Sequence, residues 1–246
     1  KAVDYAGKMG AWIGEARAGR GADIEVSVDE TDSPTTPAEH LFIAAELRRR
    51  GVKAVSVAPR FCGEFEKGID YKGDLVRFEE ELKIHAAIAR VFGPYKISVH
   101  SGSDKFRIYP IVAAVCGDLL HVKTAGTSYL EALRVVARVD AALFAEIVAY
   151  SRGRFDTDKA TYHISATLDA VESGAGLNAR DLERIYLDED GGRQILHVTF
   201  GSVLTMGKDS RGKNFKEGIM SVLEGNPGLH SEILEGHLGK HLRLLS

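Results

Sequence analysis

Four histidines, His100, His121, His163 and His197, each fall in a short segment where apolar and polar residues alternate. In an extended chain the side-chain period is two, so each imidazole would share one face with its polar neighbours. Asp29, Arg60 and Lys123 end three comparable segments on the same face. Burying that many titratable groups costs several kcal/mol unless something pairs with them. A divalent cation is a natural partner for neutral imidazole and carboxylate. The donor types suit zinc, manganese, iron, cobalt or nickel without choosing among them. His163 and His197 are expected at equivalent heights on consecutive strands, within chelating reach. Asp29 or Glu30 would add a carboxylate ligand, or the two could divide the roles of base and ligand.

The remaining polar groups suggest an anionic substrate. Arg60 at a strand end suits bidentate binding of a carboxylate or phosphate. Lys123 could donate a proton, steer a carboxylate or form a Schiff base. The turn His100-Ser101-Gly102-Ser103-Asp104-Lys105 opens onto a helix, where free backbone N–H groups attract anions. Gly174-Ala175-Gly176-Leu177-Asn178-Ala179 matches a lax dinucleotide fingerprint. It lies too far past its strand, with no acidic strand end following, and is read as a loop. His230, His237 and His241 belong to polar terminal helices and are expected at the surface.

The elements that would position these groups alternate strand and helix. Strands are expected at 22–29, 52–58, 96–100, 119–124, 162–166 and 195–200. Thr36-Pro37-Ala38-Glu39 is a capping box that opens a helix to about Arg50. The glycine-rich loop 61–73 leads to a helix that stops at Gly93-Pro94. A short helix begins near Asp104. Ser128 and Glu131 form another capping box, for a helical region to about Tyr150 with a break near Asp140. A further helix is expected at 179–186, then a turn at Asp190-Gly191-Gly192. Six βα units argue for a parallel sheet. Parallel sheets are covered on both faces, yet every strand here has one polar face. The interior of a (β/α)8 TIM-type barrel, with its chemistry at the carboxyl ends of the strands, accounts for that pattern. Residues 1–246 read as a single domain. Six units instead of eight, and a chain opening at Lys1 in a helical pattern, suggest the C-terminal part of a longer protein lacking its N-terminal units.

The chain has 246 residues, a net charge of -3 and ordinary globular proportions, 44% hydrophobic and 27% charged. Disordered and collagen-like classes are excluded, and nothing suggests a nucleic-acid partner. Two distant cysteines, Cys62 and Cys116, make neither a disulfide framework nor a zinc pair, which favours a reducing cytoplasmic setting. No apolar run reaches the roughly 18 residues of a membrane span.

Several motifs, in order, resemble those of the tagaturonate/fructuronate epimerases, a bacterial hexuronate 4-epimerase family. They are Val28-Asp29-Glu30-Thr31-Asp32-Ser33-Pro34-Thr35-Thr36-Pro37 and Arg60-Phe61-Cys62-Gly63-Glu64-Phe65-Glu66-Lys67-Gly68. Next come the segments 98–106 (SVHSGSDKF) and 121–129 (HVKTAGTSY), then Tyr162-His163-Ile164-Ser165 and His197-Val198-Thr199-Phe200-Gly201. The resemblance covers nearly the whole chain. It implies a barrel, a divalent metal, and interconversion of D-tagaturonate and D-fructuronate. By resemblance, the acidic pair Asp29 and Glu30 and the histidines His163 and His197 are metal and acid/base positions. Glu30, His163 and His197 are then expected as ligands. Asp29 is the expected base, with His121 or Lys123 as its partner. Arg60, His100 and Lys105 are expected to bind substrate.

The C4 hydrogen of these 2-ketoses is not adjacent to the ketone, so enolisation cannot invert C4. Breaking and reforming the C3–C4 bond by a retro-aldol step can, with the metal as Lewis acid. The alternatives are a metal-dependent ketose 3-epimerase or aldose-ketose isomerase on the same scaffold, and a non-enzymatic sugar-acid binding protein.

Overall fold

β-branched and polar residues alternate in four short segments, and these build a parallel sheet in the computed structural model. The structure describes residues 2–18, 20–124 and 126–246. The strands are β1 (Ile24–Val28), β2 (Ala54–Pro59), β3 (Lys96–Val99) and β4 (Leu120–Val122), hydrogen-bonded in the order β1-β2-β3-β4. The register sets Glu25 against Ser56 and Ser98 against His121. A polar layer therefore crosses the sheet on one face, as the alternation requires.

Helix α1 (Ala2–Ala16) precedes the sheet, and α2 (Pro37–Arg49) follows β1. The capping box is present: Glu39 N–H donates to Thr36 Oγ1 at 3.2 Å, and Thr36 N–H donates to Glu39 Oε2 at 2.7 Å. Helix α3 (Leu75–Phe92) is capped by Asp74 and ends at Gly93. Helix α4 (Tyr109–Cys116) follows β3. Val57, Ile97 and Val99 pack against Leu47 of α2, Phe78 and Leu82 of α3, and Val112 of α4 to make the first core.

The rest of the chain is helical. Helices α5 (Thr127–Val139) and α6 (Ala141–Asp158) break at Asp140, which caps α6 through Leu143 N–H. Then come α7 (Ala179–Glu183), a π-helical turn at Arg184–Asp188, α8 (Asp190–Val198), α9 (Phe200–Thr205), α10 (Phe215–Gly225) and α11 (Pro227–Leu245). Leu133, Phe144, Ile147, Phe155, Ile195 and Phe215 centre a second core. Helix α11 packs on both α4 and α5 and so spans the two cores.

Three expectations need correction. The described residues hold four βα strands in an open sheet, not six. Residues 162–166 form no ladder: Tyr162 N–H donates to the Lys159 carbonyl, and the N–H groups of Ser165 and Ala166 are taken by side chains. Ser165 N–H donates to Glu66 Oε2 at 2.8 Å and Ala166 N–H to Gln194 Oε1 at 2.9 Å. Residues 195–200 run from the end of α8 through a turn at Thr199 into α9, and Gln194 through Val198 are buried. The alternation of Leu196 and Val198 with His197 and Thr199 imitates a strand, but a segment buried all round has no solvent face for that alternation to report. The Asp190-Gly191-Gly192 segment opens α8 instead of turning. A Cβ at Gly192 would lie 2.0 Å from the Ile185 carbonyl oxygen, so this glycine permits close packing against the π-helical turn. Gly126, not a Ser128/Glu131 box, stands at the start of α5. Among the described residues no helix is long and apolar enough to cross a membrane.

His40 and His197 are buried imidazoles whose pKa burial lowers to about 4. The neighbouring His85 adds to the effect at His40, and Lys67 at His197. His40 sits between Tyr95 Oη at 2.8 Å and His85 Nδ1 at 2.9 Å. Between pH 4 and 6.5 the unfolded chain binds protons that these folded imidazoles refuse. Their stabilisation is complete above pH 6.5 and falls as pH drops, by about 1.4 kcal/mol per pH unit per group. The urea midpoint should therefore drop clearly from pH 7 to pH 5. A flat profile would show that neither ring is held neutral.

Candidate active site

The polar layer of the sheet converges on Glu25. Its Oε2 accepts from Ser56 Oγ at 2.6 Å and lies 3.0 Å from His121 Nδ1, while its Oε1 lies 2.7 Å from His100 Nε2. Ser98 Oγ stands 3.0 Å from the same His121 nitrogen. Burial works to raise the Glu25 pKa. The hydrogen bonds from Ser56, His100, Ser98 and His121 outweigh it and hold the carboxyl at about 2.

One layer higher, at the carboxyl ends of the strands, His100 Nδ1 faces Asp29 Oδ2 at 3.1 Å. Ser27 Oγ donates to the other Asp29 oxygen. One imidazole thus bridges two carboxylates, which fixes the ring and offers a proton path between them. Thr35 clamps the neighbouring strand end: its N–H donates to the Arg60 carbonyl at 2.8 Å and its Oγ1 accepts from Arg60 N–H at 3.0 Å. Among the described residues no carboxylate lies within ion-pair reach of the Arg60 guanidinium.

Two cavities open over these strand ends. The larger, about 700 Å³, is lined by Asp29, Glu30, Arg60, Lys67, His100 and His163, among others. The smaller, about 140 Å³, shares Asp29, Glu30, Lys67 and His100 and adds Lys123. His163 is an exposed residue, with Nε2 2.7 Å from Glu64 Oε2. Lys67 Nζ donates to Ser101 Oγ at 2.7 Å. Burial lowers the Lys67 pKa, Asp29 and Glu30 oppose that, and Lys123 reinforces it.

Six of the expected site residues, Asp29, Glu30, Arg60, His100, Lys123 and His163, therefore share the two cavities. His121 lies beneath them on Glu25. The other two are elsewhere. Lys105 is fully buried, and its ammonium donates to the carbonyls of Glu66 at 2.8 Å, Ile69 at 2.5 Å and Ser103 at 3.1 Å. It is a loop anchor and has no donor left to offer a substrate. His197 is on α8, buried against Gly68 and Gly126; a Cβ on Gly126 would lie 2.1 Å from its Cε1. His163 and His197 are therefore not neighbours on consecutive strands, since neither is on a strand. Among the described residues, the one group of three His, Cys, Asp or Glu donors within 4.8 Å of one another is Asp104, His237 and His241. The expected trio Glu30, His163 and His197 is not such a group. The expectation that His237 and His241 are surface residues also fails, since His241 is 5% exposed.

Sequence reading passed over Glu25 and Lys67. Glu25 had a signal, its strict alternation with Ser27 and Asp29. Lys67 had none, because its place depends on the path of the loop between β2 and α3.

Residues 1–245 match the tagaturonate epimerase family, UxaE. A tagaturonate/fructuronate epimerase of Thermotoga maritima is 51% identical over 223 residues, which are 91% of this chain and 45% of that protein. The native crystal structure of the fructuronate-tagaturonate epimerase UxaE from Cohnella laeviribosi superposes with a TM-score of 0.90 at 41% identity. It covers 98% of this chain and 49% of that one. A one-glycerol complex of the same enzyme has the same TM-score at 40% identity, over 99% of this chain and 49% of that one. The chain spans about half the length of these relatives. It belongs to the tagaturonate epimerase family.

Proposed function

We propose that the protein carrying this chain interconverts D-tagaturonate and D-fructuronate by inverting C4. The observation behind this reading is the convergence of Asp29, Glu30, Arg60, His100 and Lys123 on adjoining cavities at the carboxyl ends of parallel strands. In this reading the four strands are an arc of a (β/α)8 barrel, residues 1–246 act as one unit of it, and the enzyme works in the cytoplasm.

Asp29 takes the proton of the C4 hydroxyl. The C3–C4 bonding pair moves to make an enediolate over C2 and C3, and C4 becomes an aldehyde. The aldehyde fragment rotates, C3 attacks its other face, and the proton returns to the C4 oxygen. His100, braced by Glu25, holds Asp29 in place. Lys123 and Lys67 put positive charge beside the developing enediolate. Asp29, Glu30 and His163 have the donor types for a divalent cation, whereas both nitrogens of His100 are taken by Glu25 and Asp29. Such a cation would supply Lewis-acid charge to the substrate oxygens. His197 is outside this set, walled off behind Gly68 and Gly126.

Incubation of the whole protein with tagaturonate, with product stereochemistry read by NMR, tests the reaction. Fructuronate supports it, a C3 epimer or an aldose replaces it, and binding without turnover refutes it. Arg60 is the cation available for the uronate carboxylate. Arg60→Ala should raise KM for tagaturonate by roughly 10- to 100-fold, the value of a lost charge-assisted hydrogen-bond pair. Neutral tagatose should be affected only slightly. Equal losses for both sugars would remove Arg60 from carboxylate recognition.

A further inference from the structure

Helix α11 presents two imidazoles four residues apart on one face, His237 and His241, with ring centroids 4.7 Å apart. Asp104, from the loop between β3 and α4, meets them. Its Oδ1 lies 3.0 Å from His237 Nε2 and 3.7 Å from His241 Nε2. The three donor atoms all fall within 4.8 Å of one another. Around a tetrahedral ion with ligand bonds of about 2.0–2.1 Å, donor atoms stand roughly 3.3 Å apart. The two measured edges bracket that value.

The surroundings orient the donors as a metal site requires. His241 Nδ1–H donates to the His237 carbonyl at 2.9 Å, so its Nε2 turns a lone pair toward the cluster. His237 Nδ1 stands 3.5 Å from Glu131 Oε1. That carboxylate is held in turn by Arg134 at 2.8 Å. A carboxylate behind the imidazole fixes the tautomer that offers Nε2 to an ion. Arg193 grips the second oxygen of Asp104 at 3.1 Å. The Asp104 backbone has a φ of 61°, in the left-handed region, and its N–H donates to His241 Nε2 at 3.2 Å, a bond that the ion would replace. A groove of about 540 Å³ reaches Asp104 and His237, leaving room for water at a fourth position.

We propose that Asp104, His237 and His241 bind a divalent transition-metal ion, with zinc the best match to the two-imidazole, one-carboxylate set. The ion fastens α11 to the loop after β3 and so ties the two cores together. None of its ligands lines the strand-end cavities, and the inference does not depend on the reaction assigned to them.

The test strips the whole protein with a chelator and titrates it with Zn²⁺ by calorimetry and with Co²⁺ by visible absorption. The parent carries Asp29→Asn and His163→Ala, so that strand-end donors do not contribute. One equivalent should bind, with a tetrahedral Co²⁺ spectrum and a rise in unfolding temperature. His237→Gln and His241→Gln should each lose that equivalent. Glu131→Gln should keep it with roughly 10- to 100-fold weaker affinity. If the parent takes up no ion, or both histidine variants bind as the parent does, the cluster is an ion-pair network and the proposal fails. If the histidine variants do not fold, Glu131→Gln decides, and unchanged affinity there overturns the site.

Discussion

Replacing Asp29 by Asn is expected to lower turnover of tagaturonate by about 10²- to 10⁴-fold, the usual range for a positioned general base. The amide keeps the size of the carboxylate; its oxygen can still accept from Ser27 and its NH2 can donate to the other tautomer of His100, so the unfolding temperature should stay near the parent's. What it lacks is the basicity to take a hydroxyl proton. KM should change little, because the proton moves in the transition state and not on binding. Glu25→Gln makes the control. Glu25 lines neither strand-end cavity and acts by bracing His100 and His121, so its variant should shift the pH profile of kcat as well as its size. Full activity in Asp29→Asn would pass the role of base to Glu30. A change confined to KM would make Asp29 a binding group.

The half of the molecule legible in the sequence is the half where a single physical rule acts alone. Glu25, Ser56, Ser98 and His121 share a face because strands have a period of two, and the register bears this out. Thr36, Asp140 and Gly93 mark helix ends by local hydrogen bonding, and each does so here. Beyond α6 the local rules lose their hold. His197 and Thr199 alternate with Leu196 and Val198 as in a strand, but the segment is buried on all sides and coils instead. Residues 162–166 have strand-forming composition, yet Glu66 and Gln194, far away in sequence, claim the N–H groups of Ser165 and Ala166. His237 and His241 look like surface residues in a polar helix because Asp104, their partner, lies more than a hundred residues earlier. In each case the deciding contact is long-range, and no local pattern encodes it.

Lys105 gives the sharpest test of that distinction, because its motif suggests substrate binding and its surroundings show a structural role. Its ammonium satisfies three carbonyls in the loops that hold Lys67 and Ser103 against the smaller cavity. Burial lowers its pKa to about 8, while Asp104 and Asp70 oppose that. Lys105→Met keeps the length of the stem and removes every donor. Leaving two or three buried carbonyls without partners, at about 1–3 kcal/mol each, should cost about 3–5 kcal/mol. For a chain of this size that is a fall of roughly 10 °C in unfolding temperature. Both tagaturonate and tagatose should lose turnover together as the loops loosen. A substrate-carboxylate role predicts the opposite: an unchanged unfolding temperature and a KM defect for the uronate alone. Calorimetry and paired kinetics on one variant therefore separate an anchor from a ligand.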